Sequence, residues 1–407
     1  MIVISKPCIE HNINSSRLKC KISGDYLGSE KVIWFSVEKE YAQYLVDEVA
    51  DSFVLACMLP AVVHGEDITV NCHVSERLLF HLQHAVTFIL EKSYNGTHIT
   101  IHADQIWTID FGGKAVGCGC SLGIDSLSAI FTHMDTPETP DYEISHLTYF
   151  NVGSHGYKNA EANRKSWLHD MVKVKQFAET IHLPLVLVES NVYELFDGFN
   201  FDQSGNFINM ATVLSLQKLF RKYLYGSNYP ITATHLTNVC SGYFESLMIP
   251  IVSTESTELI VANADMARSD KTEIVAKHPL SKNNLYVCWK ELIVNNNPNH
   301  PIAKIKDRFL NCTRCDKCLR TCTQLDILGV LEDFRNIFDI NYYRLRQKEY
   351  IGKCIATAGS NEFSRDIVAM ADKYKYRIPF ASKLYALAYK THLMGIYFRL
   401  KSFFQHK

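Results

Sequence analysis

The sequence predicts an α/β protein whose parallel sheet is preceded by a small α+β domain and followed by a helical region. From residue 113 to about residue 322, short apolar segments alternate with segments of helical periodicity, the pattern of a parallel sheet with helices on both faces. Residues 1–112 lack this alternation, and residues 323–407 are helical in pattern. These observations predict three domains with those boundaries.

The first domain, residues 1–112, contains strand patterns and helix patterns. Strands are predicted at residues 18–22, 32–37 and 97–102, where apolar residues alternate or run together. Apolar residues at helical spacing predict helices at residues 41–59 and 75–91. No arrangement of residues in this domain indicates catalysis.

The second domain, residues 113–322, is predicted to contain five strands separated by helices. We expect the strands at residues 116–120, 146–152, 183–189, 222–227 and 248–253. The third domain, residues 323–407, is predicted to be helical, with breaks at Gly352, Gly359 and Pro379, because glycine and proline interrupt helices.

The loop after the first of these five strands is suited to phosphate. It leaves the carboxyl end of the strand, where open α/β sheets bind ligands. Gly123 can adopt positive φ and lets backbone N–H groups approach a ligand, while Ser121 and Ser126 add hydroxyl donors. The N-terminus of the predicted helix at residues 125–134 favours anions. The loop therefore predicts a nucleotide site, and a structural strand-to-helix turn is the alternative.

The order Ser-Leu-Gly-Ile-Asp-Ser in this loop resembles the pyrophosphate loop of N-type ATP pyrophosphatases, whose usual form is Ser-Gly-Gly-x-Asp-Ser. Leu122 stands where that family has its first glycine. The resemblance implies ATP as substrate and Mg²⁺ bridging phosphate oxygens, with Asp125 a candidate for holding the magnesium directly or through water. It also implies catalytic roles for Ser121 and Asp125. The loop residues implied in nucleotide binding are Ser121, Leu122, Gly123, Ile124, Asp125 and Ser126.

A cysteine cluster predicts a metal site. Cys312, Cys315 and Cys318 follow one another at two-residue gaps, and a fourth thiol from a separate segment, such as Cys288, completes a tetrahedral zinc site. Cys322 gives the same run the spacing of bacterial ferredoxins, so an iron–sulfur cluster is an alternative. A disulfide or buried free thiols are a further alternative.

The cysteine order resembles the zinc site of 7-cyano-7-deazaguanine synthases, which carry the same pyrophosphate loop upstream. Cys288, Cys312, Cys315 and Cys318 fill its four positions, so the resemblance implies that these residues bind Zn²⁺. Arg320 follows them as in that family. The resemblance covers residues 113 to about 322 and implies a fold like that of the adenine nucleotide α-hydrolases.

Three further segments resemble the same family. Gly153 and His155 lie in Asn-Val-Gly-Ser-His after the predicted second strand, and are implied in nucleotide binding. Gly205 and Asn206 stand where the family has Arg-Asn. Lys271, in Lys-Thr-Glu-Ile-Val, is implied to be catalytic.

The resemblance implies an ATP-dependent, AMP-forming ligase or amidotransferase. An acceptor oxygen attacks the α-phosphate, pyrophosphate leaves, and a nucleophile such as ammonia displaces AMP. We expect a small-molecule acceptor, with a nucleic acid or a protein as alternatives. A sulfurtransferase is an alternative to the ligase, because Cys118 and Cys120 share one face of a strand beside a helix N-terminus. A further alternative is a nucleotide-binding partner protein without catalytic activity, which is suggested by Leu122 at the position of the family's first glycine.

Composition limits the remaining function classes. The formal net charge of −1 over 407 residues provides no overall attraction to nucleic acid. The longest apolar run, residues 53–63, is too short to span a membrane. Thirteen cysteines without an export signal predict a cytoplasmic protein. The oligomeric state stays open, with a homodimer among the alternatives.

The C-terminal tail mixes basic and aromatic residues, and no acidic residue follows Asp372. Such a tail suits a nucleic acid, an anionic membrane or a partner. Leu384, Ala388, Leu393 and Tyr397 recur at near-helical spacing, which favours a helix packed on its own domain. The basic residues are Lys373, Lys375, Arg377, Lys383, Lys390, Arg399, Lys401 and Lys407.

Overall fold

The computed structural model describes residues 1–154, 160–288 and 308–391. Within these ranges eleven strands form one sheet, most of whose pairings are parallel. The predicted α/β class is therefore confirmed. The strands are β1 Ile2–Ile4, β2 Cys8–His11, β3 Ser15–Ser23, β4 Lys31–Glu38, β5 Ile68–Ser75, β6 Ile101–Trp107, β7 Ala115–Gly119, β8 His146–Asn151, β9 Leu185–Ser190, β10 Phe220–Gly226 and β11 Glu258–Ala262.

The helices of the described residues lie between these strands and after the last of them. A π-helical turn at Leu82–Val86 joins the second and third of them into one continuous segment. The helices are α1 Asp51–His64, α2 Glu76–His81, α3 Thr87–Tyr94, α4 Ile124–His133, α5 Ala160–Thr180, α6 Phe201–Leu214, α7 Glu245–Ile251, α8 Arg268–Lys277, α9 Ser281–Asn284, α10 Asp316–Ile327, α11 Ile340–Thr357, α12 Glu362–Lys373 and α13 Phe380–Lys390.

The chain divides into two compact units. The first comprises Met1–Ser121 and Ala129–Asp265, and it contains the whole sheet. The second comprises Leu122–Ser128 and the described residues from Met266 onward, and it contains α8 to α13.

The strand order places β7 at a point of reversal. The order is β11-β10-β7-β8-β9-β4-β3-β1-β5-β6, with β2 paired to β3. From β7 the chain proceeds to β8 and β9 on one side and then to β10 and β11 on the other, and all four of these pairings are parallel. In doubly wound sheets such a reversal at the carboxyl ends of the strands is where ligands bind. The candidate loop follows β7.

The N-terminal strands extend the same sheet. β4 pairs antiparallel with β9, with Phe35 opposite Ser190, and β3, β1, β5 and β6 continue from there. Residues 1–112, predicted as a domain of their own, thus contribute β1 to β6 to a sheet shared with residues 113–265. The core of this unit surrounds α1, in which every residue from Asp51 to Val62 is buried.

Three predicted elements differ from the structure. The strand predicted at residues 97–102 overlaps only the first two residues of β6, Ile101–Trp107. The strand predicted at residues 248–253 lies mostly in α7, and the fifth strand of this half is β11, Glu258–Ala262. A short apolar run fits a buried helix as well as a buried strand, which explains the error. The helix predicted at residues 41–59 begins only at Asp51, because Val49 forms a β-bridge with His73 instead.

Gly352 was predicted to break a helix, and this prediction is wrong. It lies inside α11, where a Cβ atom would come within 2.5 Å of the Tyr385 Cβ and 2.8 Å of the Ser382 carbonyl oxygen on α13. Glycine is therefore needed for the close contact of two helices. The breaks predicted at Gly359 and Pro379 are confirmed, since they lie between α11 and α12 and directly before α13.

We expect Gly352→Ala to destabilise the second unit. Alanine favours a helix over glycine by about 1 kcal/mol, but inserting a methyl group into a filled contact costs about 1–3 kcal/mol. Urea unfolding should therefore show a lower midpoint. Gly359→Ala is the matched control, because nothing lies within 4 Å of its added Cβ. Equal midpoints for the two variants would contradict the assigned role of Gly352.

Candidate functional site

The candidate loop joins β7 to α4. The Cys120 N–H donates a hydrogen bond to the Thr148 carbonyl at 2.8 Å, which ties the end of the strand to β8. The left-handed backbone conformation of the loop falls on Leu122, with φ of 58°, and not on Gly123, where the sequence placed it. Leu122 is buried, and its carbonyl accepts a hydrogen bond from the Tyr286 N–H at 2.8 Å. These contacts hold a leucine in a conformation that costs about 1–2 kcal/mol.

The other loop residues differ in exposure. Ser121 is exposed, whereas Ile124 is buried, so Ile124 offers a ligand only its backbone. The Ser126 hydroxyl donates to the Gly123 carbonyl at 3.2 Å, which steadies the first turn of α4.

Asp125, in the first turn of α4, faces two cations of α8. Its Oδ2 accepts a hydrogen bond from Arg268 Nη1 at 2.5 Å, and Lys271 Nζ lies 3.9 Å from its Oδ1. Arg268 and Lys271 are three residues apart and therefore share one side of α8. All three residues belong to the second unit. The structure thus brings together two residues predicted to be catalytic, Asp125 and Lys271.

Arg268 was missed by the sequence analysis. Its side chain is only 9% exposed, and its Nε has no hydrogen-bond partner among the described residues. A buried guanidinium N–H without an acceptor is costly, and phosphate oxygens are well suited to accept from it. The available signal was its position one helical turn before Lys271, but this spacing does not reveal that Arg268 is buried.

A buried hydrogen-bond network holds α8 in place. Asp366 of α12 accepts hydrogen bonds from the Ser269 N–H at 2.9 Å and the Ser269 hydroxyl at 2.5 Å, at the N-terminus of α8. Gln324 of α10 donates to Asp366 at 3.1 Å and accepts from the Thr272 hydroxyl at 3.0 Å. Burial raises the pKa of Asp366. Nothing in the sequence indicated the roles of Gln324 and Asp366.

Gly153, also predicted to bind the nucleotide, lines a cleft of about 340 Å³ in the first unit. The cleft lies at the carboxyl ends of β8 and β9. In its wall, Arg164 Nε and Nη2 donate to the two carboxylate oxygens of Glu189 at 2.8 and 3.0 Å, and Arg17 stacks on the Trp34 ring at 4.4 Å. A cleft of this volume accommodates a small molecule. His155 lies outside the described residues.

Four cysteines of the second unit form a buried cluster, which the sequence had predicted. The Sγ atoms of Cys288, Cys312, Cys315 and Cys318 all lie within 4.8 Å of one another. The Cys318 Sγ is 3.9 Å from that of Cys312 and 3.3 Å from that of Cys315. Zn–S bonds of about 2.3 Å place tetrahedral sulfurs about 3.8 Å apart, so the cluster can bind a metal ion such as zinc.

Local hydrogen bonds favour thiolate in the cluster. The Arg314 N–H donates to Cys312 Sγ at 3.3 Å, and the Cys318 N–H donates to Cys315 Sγ at 3.5 Å. Cys315 is the N-cap of α10, where the helix dipole favours negative charge. Hydrogen bonds from the thiols of Cys288, Cys315 and Cys318 lower the pKa of Cys312. Hydrogen bonds to Cys288 and Cys312 raise the pKa of Cys315, and burial raises that of Cys318, so Cys312 is the first of the four to become a thiolate. Thiolate is the form that binds metals.

Asn311 joins the two segments that supply the ligands. Its buried Oδ1 accepts hydrogen bonds from the N–H groups of Val287 at 2.9 Å and Cys288 at 3.2 Å. Its Nδ2 donates to the Leu285 carbonyl at 2.9 Å. Cys288 is therefore held beside Cys312. The sequence analysis missed Asn311, whose one signal was its place directly before Cys312.

Cys322 is buried on α10 but does not belong to the cluster. The four cysteines that remain in the cluster are the number that fills one tetrahedral metal site. Arg320, on the same helix, lies over the Phe363 ring at 3.7 Å.

Comparison with models of known protein families, with curated proteins and with solved structures gives no match.

The part of the chain that the structure describes contains no candidate membrane-spanning helix. None of its helices combines the length and the apolar character that crossing a bilayer requires.

Cys118 and Cys120, the thiols of the sulfurtransferase alternative, are buried. Burial raises the pKa of Cys118, so its nucleophilic thiolate is disfavoured. We expect Cys118→Ala to keep ATP turnover within about twofold of wild type, as for a residue outside the chemistry. Turnover should be measured with ammonium and with sulfide as nucleophile. Loss of turnover in a folded Cys118→Ala protein would support sulfur transfer instead.

Proposed function

We propose that this protein is an ATP-dependent, AMP-forming ligase or amidotransferase of the N-type ATP pyrophosphatase kind. The observation that carries the proposal is the grouping of Asp125, in the first turn of α4, with Arg268 and Lys271 of α8. The loop that leads into α4 follows β7, the strand at which the sheet order reverses. Buried cations that face an acidic residue beside a strand-to-helix loop are suited to the charge of a polyphosphate.

Each residue of this grouping has a distinct role in the proposal. Arg268 donates from its unpartnered Nε to a phosphate oxygen, while its Nη1 stays bound to Asp125. Lys271 supplies a second positive charge, which stabilises the negative charge that builds up as pyrophosphate leaves. Asp125 holds both cations in position. The exposed Ser121 hydroxyl and the backbone of the loop add hydrogen bonds to the pyrophosphate.

Asp125 is not suited to bind magnesium directly, because its carboxylate already faces the positive charges of Arg268 and Lys271. Among the described residues, the four cysteines are the only group of three or more potential ligands that could hold a metal ion. None of Asp125, Arg268 and Lys271 is therefore assigned as a ligand of Mg²⁺.

The four-cysteine cluster is proposed to bind a structural Zn²⁺. Four thiolate ligands fill a tetrahedral site and leave no open position for substrate, which separates this metal from the chemistry. Because the thiolates must stay reduced, the proposal places the protein in a reducing compartment such as the cytoplasm. The proposed acceptor is a small molecule, because the formal net charge of −1 provides no overall attraction to a nucleic acid.

The test is the fate of α-labelled ATP. The purified protein is incubated with ATP labelled at the α-phosphate, magnesium, ammonium and a panel of small carboxylic acids. We expect labelled AMP and an equal amount of pyrophosphate. Release of ADP and phosphate would contradict the proposal. ATP binding without pyrophosphate release with any acceptor would favour an inactive nucleotide-binding partner, an alternative suggested by the buried Leu122.

A further inference from the structure

Helix α13 presents two different faces. Ser382 and Ala386 are buried, and the helix passes close to Gly352 of α11 on this side. Phe380, Leu384 and Leu387 are 75%, 54% and 62% exposed. Because they are four and three residues apart, they form one stripe along the other side of the helix.

The exposed stripe corrects the prediction that Leu384 packs on its own domain. The close approach at Gly352 admits only small side chains between the helices, so Ser382 and Ala386 occupy the contact and the larger Leu384 faces outward. Ala388 is half-buried. The tail residues Leu393, Tyr397, Arg399, Lys401 and Lys407 lie outside the described residues.

Basic residues adjoin the apolar stripe. Lys383 and Lys390 border it on α13, and Lys375 and Arg377 precede the helix; all four are exposed. None of these four side chains forms an ion pair or hydrogen bond with another described residue, whereas the Lys373 side chain is paired with Asp270. No acidic residue occurs from Lys373 to the end of the chain. The face thus combines large apolar side chains with uncompensated positive charge.

We infer that this face of α13 binds the surface of an anionic lipid bilayer. Phe380, Leu384 and Leu387 enter the boundary between headgroups and acyl chains, and the four cations contact anionic headgroups. A helix of 11 residues is too short to cross the bilayer, so it lies in the plane of the interface. The binding is reversible and depends on salt, because it combines one short helix with screened charges.

The same observations argue against two other occupants. A second copy of this face would bring Lys383 and Lys390 against like charges, with no acidic residue on either helix to pair with them. A nucleic acid would be bound by stacking of its bases on aromatic rings, but the centre of this stripe consists of the aliphatic residues Leu384 and Leu387. The inference is independent of the proposed ligase activity.

The test is sedimentation of the full-length protein with vesicles. One set contains phosphatidylcholine alone, and the other contains equal parts of phosphatidylcholine and phosphatidylserine. We expect binding to the anionic vesicles only, weakening as salt is raised. Two variants probe the two components: Leu384→Ser with Leu387→Ser, and Lys383→Gln with Lys390→Gln. Each should lower the affinity about tenfold or more.

Leu345→Ser is the matched control, because Leu345 is 81% exposed on the neighbouring helix α11 and lies outside the stripe. It should bind vesicles as wild type does. All variants alter exposed side chains, so an unchanged thermal unfolding curve verifies that they are folded. Equal binding to neutral and anionic vesicles would overturn the inference. So would binding of transfer RNA, or a dimer, that is lost in the same two variants while vesicle binding is not.

Discussion

Cys312→Ala is expected to lose bound metal and to leave the second unit unfolded. A structural zinc ion contributes on the order of 10 kcal/mol to folding, comparable to the whole stability of a typical domain. The three remaining thiols would be buried without the ion that compensates them. Metal analysis of the purified protein should show one zinc per wild-type chain and none in the variant. Circular dichroism and solubility should report the loss of structure.

Cys322→Ala is the matched control for this prediction. Cys322 is as deeply buried as Cys312 and lies on the helix that follows, but it is not part of the cluster. Its replacement should cost only about 1 kcal/mol and retain the zinc. Cys288→Ala should behave like Cys312→Ala. If iron and acid-labile sulfide are found, or if Cys322 is required and Cys288 is not, the ferredoxin-like alternative replaces the zinc site.

Asp125→Asn is expected to lower the rate of pyrophosphate release about a hundredfold or more, the typical effect of removing one transition-state contact. Asparagine keeps the shape of the side chain but removes the charge that holds Arg268 and Lys271. Arg268→Met should have an effect of similar size, because it removes the donors proposed for the leaving group. We also expect a loss of activity in Ser121→Ala. Each rate is measured by the release of pyrophosphate from ATP.

Lys277→Met is the control for these variants. Lys277 belongs to the same helix as Arg268 and Lys271, but it is exposed and paired with Glu273. Its replacement should change stability by less than about 0.5 kcal/mol and leave pyrophosphate release unchanged. Wild-type rates of pyrophosphate release in both Asp125→Asn and Arg268→Met would contradict the proposed reaction, even if zinc is bound at the cysteine cluster.

Features that depend on local spacing were predicted well. The two-residue gaps of Cys312, Cys315 and Cys318 identify a metal knuckle, because one tight turn and the start of a helix bring such thiols together. The alternation of strands and helices likewise predicts the parallel half of the sheet, and four of the five strands in that half lie where they were expected. The fifth was misplaced, because apolar runs of that length suit a helix or a strand.

Features that depend on partners distant in sequence were missed. Arg268, Gln324, Asp366 and Asn311 are ordinary polar residues in ordinary sequence contexts. What distinguishes them is a buried or half-buried position together with a specific acceptor or donor on a segment distant in sequence. No spacing rule along the chain encodes such pairs.

The α/β class, the closely spaced cysteines Cys312, Cys315 and Cys318, and the loop that follows β7 could be predicted from the amino-acid sequence, because each of these features depends on periodicity or on residues close together in the chain. That Arg268 faces Asp125, that Leu122 adopts the left-handed conformation and that Leu384 faces outward became known only from the three-dimensional structure. These three features have one physical cause. Packing against another segment fixes which side of a helix is buried and which backbone conformation is held, and that segment is not a neighbour in sequence.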